Sequence, residues 1–201
     1  MLLHAALAPP APLPTLVTPE AVGGLVAFQV LVADGHLDVV HGDAAVAAGA
    51  PVTPRLRLLA LARRAPARTV VGRSSAAWVH LGGVPDGALC VLYSPERHRP
   101  APRPALASHQ AVLRTDEVMT LGSAAVTTPP RTAADVALYS PEPAALRTLT
   151  ELVSRGLVDE GDVLAVLARR RESRAYGRAR ALLEAACAQD GSSVAFEPVM
   201  R

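Results

Sequence analysis

The pattern of the chain changes at Pro129-Pro130, and that change restricts it to folds that mix strands with helices. Before it, short apolar and β-branched pieces at 69–71, 88–93, 105–113 and 118–128 are bounded by Gly and Pro, as strands are. After it, segments at about 130–139, 142–155, 160–171 and 174–188 read as helices, separated by Ser140-Pro141, Gly156 and an arginine cluster. Upstream, Thr18-Pro19-Glu20 is a helix start with a hydroxyl cap, and Asp34-Gly35 is the stop. A small hairpin is expected around His41-Gly42-Asp43, a second helix from Thr53-Pro54 to about Ala65, and a short helix from Ser74 or Ser75 through His80. The expected class is α/β (α+β), a domain behind a small helix and hairpin unit.

At 201 residues the chain can bury a core without disulfides or metal. All of its basic residues are arginine, and the lack of lysine excludes Schiff-base and pyridoxal chemistry, a Walker-type phosphate loop and a kinase-type lysine. Cys90 and Cys187 form neither a C-x-x-C pair nor a zinc spacing, and read as free thiols in a reducing compartment. The first residues lack a basic segment, and the longest apolar run, about Ala21 to Ala33, is too short to span a bilayer. A cytoplasmic location without a membrane partner is expected.

The formal net charge of +2 conceals an uneven distribution. Residues 1–50 carry Glu20, Asp34, Asp38 and Asp43 but no arginine, whereas 51–75 carry arginines at 55, 57, 63, 64, 68 and 73 and no acid. A second island holds Arg169, Arg170, Arg171, Arg174, Arg178 and Arg180. Arg57 and Arg64, seven apart, would share one helical face. Arg171, Arg174 and Arg178 would share another if their helix ran through unbroken. Guanidinium groups bind phosphate bidentately, so Arg55, Arg57, Arg63, Arg64, Arg171, Arg174 and Arg178 are the candidate nucleic-acid contacts. Arginines at the end of a helix also satisfy its dipole and its free carbonyls, which accounts for 169–171 without a ligand.

Catalytic patterns are weak. Gly72-Arg73-Ser74-Ser75-Ala76 resembles a nucleophile elbow only faintly, with alanine in its fifth position, and helix capping by Ser74 or Ser75 is the favoured reading over a triad with His80 and Asp86. No paired carboxylates follow to hold the metals of a nucleotidyltransferase, and the histidines lack metal-ligand spacing. Arg131 and Asp135, four apart, would pair along a helix and tie it to the strands beneath. No catalytic residue, metal or cofactor is expected.

Segments in order along the chain resemble one family. Leu31 to Leu37 followed by His41-Gly42-Asp43-Ala44 is similar to the helix, glycine and wing that end a winged helix. Gly72-Arg73-Ser74-Ser75-Ala76-Ala77-Trp78-Val79-His80-Leu81-Gly82 and Val126-Thr127-Thr128-Pro129-Pro130-Arg131-Thr132-Ala133-Ala134-Asp135 resemble two internal motifs, and the arginine-rich stretch follows. Together, over roughly 25–188, they resemble the actinobacterial AbiEi-like type IV antitoxin family.

Residues 1–14, rich in Pro and Ala, are expected to be flexible. The resemblance implies a winged-helix-like unit at 15–50, here short and without arginine or lysine and so read as degenerate, then an antitoxin-like α/β domain at 51–188 made of a small mixed sheet and a group of helices, and a tail at 189–201. It implies a non-catalytic antitoxin that neutralises a nucleotidyltransferase-like toxin and binds DNA to regulate its own operon. Some relatives continue into a Vsr-like endonuclease whose start is similar to Gly191 to Glu197; Glu197 alone builds no metal site, so no nuclease activity is expected. The front of the chain, where a DNA-reading helix would carry arginine or lysine, has neither. An interaction or scaffold remnant of a nuclease-bearing relative, no longer binding DNA, is the alternative.

Overall fold

The computed structural model describes residues 15–85 and 87–194, with the side chains described up to 189. The expectations for 1–14, for Asp86 and for 195–201, Glu197 included, lie outside the described residues.

The chain is a mixed α+β protein with two sheets. A 3-10 turn at Pro19–Val22 leads to α1 (Leu25–Ala33), then to a hairpin of β1 (Leu37–His41) and β2 (Ala44–Ala47). The sequence suggested one helix from Pro19 to Ala33. Gly23 and Gly24, at φ +88° and +113°, instead break it, because only glycine accepts two such angles in succession without strain. Phe28, Leu37 and Ala45 form a small core here, with Leu31 and Val32 against it.

Next comes α2 (Pro54–Ala62), where Thr53 Oγ1 accepts from the Leu56 N–H at 3.3 Å and proline occupies the first turn. Then follow β3 (Val70–Val71), α3 (Arg73–Leu81), β4 (Leu89–Tyr93), β5 (Leu106–Gln110), β6 (Val118–Leu121) and β7 (Ala124–Thr127). The helices α4 (Pro129–Tyr139), α5 (Glu142–Ser154), α6 (Glu160–Ala168) and α7 (Tyr176–Val194) complete the chain. The expected strand at 118–128 is two strands, since Gly122, at φ +72°, reverses the chain into an antiparallel hairpin.

The larger sheet has the order β5-β4-β3-β7-β6. Its centre, β3 beside β7, is parallel, and each of these strands runs straight into a helix, α3 or α4. The starts of both helices therefore meet at one edge of the sheet, where open sheets of this kind place their sites. Leu58, Leu61, Trp78, Val79 and Val91 bury the sheet against α2 and α3, and Leu138, Leu149, Leu152, Leu167 and Leu183 form a second core among α4–α7. At Gly72 an added Cβ would stand 2.6 Å from Leu92 Cγ, inside the buried Leu92 side chain. Gly72→Ala is expected to cost about 1–3 kcal/mol by overpacking, measured by urea unfolding. An unchanged midpoint would show that Leu92 can move aside.

Candidate functional site

The edge where β7 passes into α4 gathers Glu117, Arg131, Asp135, Arg169 and Arg170 into one connected set of charges. Glu117, at the end of a short 3-10 turn before β6, is 1% exposed. Arg131 Nη1 donates to its Oε2 at 2.5 Å, Arg169 Nη1 to Oε1 at 3.1 Å and Arg170 Nη2 to Oε2 at 3.0 Å. Arg131, also buried, donates through Nε to Asp135 Oδ1 at 3.0 Å and through Nη1 to the Val112 carbonyl at 3.2 Å. The helical spacing anticipated the pair of Arg131 with Asp135. Beside it the Thr127 and Thr132 hydroxyls are 2.7 Å apart, and the Thr128 N–H donates to the Glu117 carbonyl, so the segment does tie α4 to the sheet.

Sequence reasoning missed Glu117. Its partners Arg169 and Arg170 lie 52 and 53 positions away, a separation no local pattern reveals. Burial opposes ionisation of Glu117, but the Arg170 and Arg131 guanidinium groups outweigh it and hold the carboxyl at about 2, below its ordinary 4.5. Burial dominates at Asp135 and raises its pKa, with Arg131 acting in the opposite sense. Asp135 Oδ2 is buried and lacks a hydrogen-bond partner.

A cleft of about 450 Å³ opens beside this cluster, lined by Arg114, Arg131, Arg169, Arg170, Glu117 and Tyr139 among others. The Arg73 guanidinium carbon lies 4.1 Å from the centroid of the Tyr139 ring. Arg73 opens α3 at φ +53°, an angle unusual for any residue but glycine, and its buried Nε has no partner.

Neither Ser74 nor Ser75 caps α3, correcting that reading. Gly72 is the capping residue, Ser75 Oγ accepts from the Cys90 N–H at 2.9 Å, and Ser74 Oγ lies 3.6 Å from Cys90 Sγ. The His80 ring turns elsewhere and donates through Nε2 to the Thr127 carbonyl at 2.8 Å. Burial lowers the His80 pKa from its ordinary 6.5, the Thr127 bond raising it and Arg57 lowering it further. The unfolded chain therefore takes up a proton before the folded one. Stability contributed by neutral His80 is complete above about pH 7 and falls as the pH drops below it. His80→Gln, which keeps a donor for Thr127, is expected to flatten the loss between roughly pH 7 and 5 seen by thermal unfolding; an identical slope would assign the loss to other groups.

The family model of the AbiEi antitoxin C-terminal domain matches residues 26–185, most of the chain. The chain belongs to that family. Its role is accordingly that of an antitoxin in a toxin–antitoxin system. Among solved structures, that of the RV2827C protein from Mycobacterium tuberculosis is similar at a TM-score of 0.46 and 20% identity, over 94% of this chain and 78% of that one. No curated protein sequence matches. Among the described residues of this AbiEi domain, no helix is long and apolar enough to cross a membrane, and no group of three His, Cys, Asp or Glu could hold a metal ion.

Three of the candidate nucleic-acid contacts, Arg57, Arg63 and Arg178, are bonded within the AbiEi domain. Arg57 points inward: its Nε donates to the Val79 carbonyl at 2.9 Å, with further bonds to the carbonyls of Val52 and His80. Arg64 lies beyond the end of α2, so the shared helical face with Arg57 does not form. Arg63 pairs with Asp43 at 2.9 Å and Glu20 at 3.2 Å, joining α2 to the N-terminal unit. The second face does not form either, because the helix stops at Ala168 and the next begins at Tyr176, leaving Arg171 and Arg174 in the turn between. Arg178 reaches from α7 to the carbonyls of Ala137, Leu138 and Ser140 at the end of α4. Arg170 Nη1 also donates to the Val166 carbonyl of α6, the helix-end role expected for this cluster. Arg55, Arg64, Arg171 and Arg174 are exposed, and among the described residues none of the four has a hydrogen bond or ion pair.

Proposed function

We propose that this chain acts by binding alone: as the antitoxin of a type IV system it neutralises a nucleotidyltransferase-like toxin in the cytoplasm and catalyses nothing itself. The observation that carries the reading is the outer side of α1. This helix contains no charged residue; Phe28 faces the core, while Leu25, Val26 and Val30 remain 55%, 76% and 51% exposed. An apolar surface of this kind suits a protein partner, since phosphate backbones are met by cations. The antitoxin family supplies the partner, the toxin, and the unit at 15–50 is a reduced winged helix that has exchanged groove reading for protein contact.

The test is a Val26→Asp/Val30→Asp double variant, both sites already facing water. Its circular dichroism and unfolding midpoint are expected to match the parent, with toxin binding weakened roughly tenfold or more. Full protection of cells expressing the toxin, with unchanged binding, would overturn the reading.

For DNA, the contacts favoured are Arg55, Arg64, Arg171 and Arg174, whose guanidinium groups are not committed within the chain. Four phosphate contacts predict a fall in affinity of roughly a hundredfold between 50 and 200 mM salt. Fluorescence anisotropy with the chain's own promoter DNA measures it. A specific observation favours the second reading, the scaffold remnant: Arg57, Arg63 and Arg178 are spent on bonds inside the chain. Under that reading no saturable DNA binding appears even at low salt.

A further inference from the structure

We propose that the cleft beside Glu117 is an anion site that takes a phosphate group, as pyrophosphate or as the phosphate tail of a nucleotide. The inference does not depend on the toxin reading. Four arginines and one carboxylate line the cleft, and that carboxylate, Glu117, is occupied by three of the four guanidinium groups. Two further acids stand close by. Asp116, at the rim, pairs with Arg114 and Arg169 at 3.2 Å, and Asp135 lies behind Arg131. Counting all of these, four positive charges meet three negative ones, and the excess faces the opening. The rim pairs are solvent-exposed and weak, so a better acceptor displaces Asp116 at small cost.

Arg131 is the built element of the site. It is 2% exposed, held through Nε by Asp135 and through Nη1 by Glu117 and Val112, while its Nη2 makes no hydrogen bond among the described residues. A buried guanidinium fixed through two of its nitrogens, on the wall of an open cleft, is a positive charge held in place that an entering anion meets without reorganisation. Arg114 comes from the turn before β6, Arg131 from α4 and Arg169 from the segment after α6. Donors arriving from three elements suit the tetrahedral oxygens of phosphate better than a planar carboxylate, which one guanidinium can satisfy alone. On another wall the Tyr139 ring is 51% exposed, with the Arg73 guanidinium against it, and offers a surface on which a nucleobase can stack.

The experiment is isothermal titration of the full chain with pyrophosphate, with ATP and with sodium sulfate at matched ionic strength. Pyrophosphate is expected to bind saturably with one-to-one stoichiometry. Arg114→Glu, at an exposed position, is expected to weaken it about tenfold or more, whereas Arg147→Glu, on the exposed surface of α5, leaves it unchanged. Thermal unfolding checks that both variants remain folded. Tyr139→Ala separates the sources: it weakens ATP and spares pyrophosphate if the ligand is a nucleotide, and affects neither if the ligand is free phosphate or pyrophosphate. Equal heats from sulfate and pyrophosphate, no saturation by either phosphate compound, or equal losses in Arg114→Glu and Arg147→Glu would overturn the proposal.

Discussion

Glu117→Ala is expected to lower the unfolding free energy by about 3–5 kcal/mol, because it leaves buried positive charge uncompensated. Arg131, almost fully enclosed, would keep only Asp135 and the Val112 carbonyl, and Arg170 only the Val166 carbonyl. Glu117→Gln preserves an acceptor oxygen and should lose less. Urea unfolding of the two variants beside the parent measures the difference; a loss below about 1 kcal/mol in the alanine variant would mean that water reaches the cluster and solvates it.

The same carboxylate sets the acid limit. Its folded pKa of about 2 lies below the ordinary 4.5, so its contribution is complete above pH 4.5 and is lost as the pH falls toward 2. The amount at stake is on the order of 3 kcal/mol. Asp135 works in the opposite sense. Its raised pKa means that protonation relieves a cost in the folded state, which offsets part of the loss as the pH falls. Parent and Glu117→Gln curves should therefore approach each other as the pH falls from 4.5 toward about 2; curves that stay parallel would place the acid transition at other groups.

A double variant, Arg57→Ala/Arg178→Ala, is expected to cost about 3 kcal/mol in total. Arg57 closes the C-terminal end of α3 and Arg178 that of α4, each donating to three backbone carbonyls. A helix end leaves its last carbonyls without partners, and a guanidinium supplies both hydrogen bonds and the favourable charge. Arg178 is the more exposed and should contribute the smaller share, about 1 kcal/mol. The two sites share no partner, so the single losses should add. DNA affinity measured on the folded double variant is expected to match the parent, and a drop in affinity without a drop in stability would return both residues to the nucleic-acid surface.

Much of the fold was legible because it rests on local chemistry. Thr53-Pro54 starts a helix, Gly42 turns a hairpin, and apolar residues at helical spacing mark α4 and α5. What failed were places where a local signal has two meanings. Thr18-Pro19-Glu20 opens a helix in most settings, yet here Gly23-Gly24 limits it to one short turn. Arg171, Arg174 and Arg178 would line one face only if a helix ran through them, but the chain breaks from Ala168 to Tyr176, and three of the island's members are drawn to Glu117 or to the end of α4. Arginine frequency reveals supply of charge. Whether a guanidinium meets solvent, a carboxylate or a helix end depends on partners 20 to 53 positions away, as Arg63, Arg57, Arg178 and Arg170 each show.

The parallel pairing of β3 with β7 has a kinetic consequence. Its register consists of the single pair Val71 with Val126, 55 positions apart, and it alone joins the β5-β4-β3 part of the sheet to the β7-β6 hairpin. The hairpin can form from neighbours in sequence, but this seam closes only after a long loop has lost its freedom. The sheet is therefore joined from two halves, and the Glu117 cluster, whose residues all lie between 112 and 170, belongs wholly to the half beyond the seam.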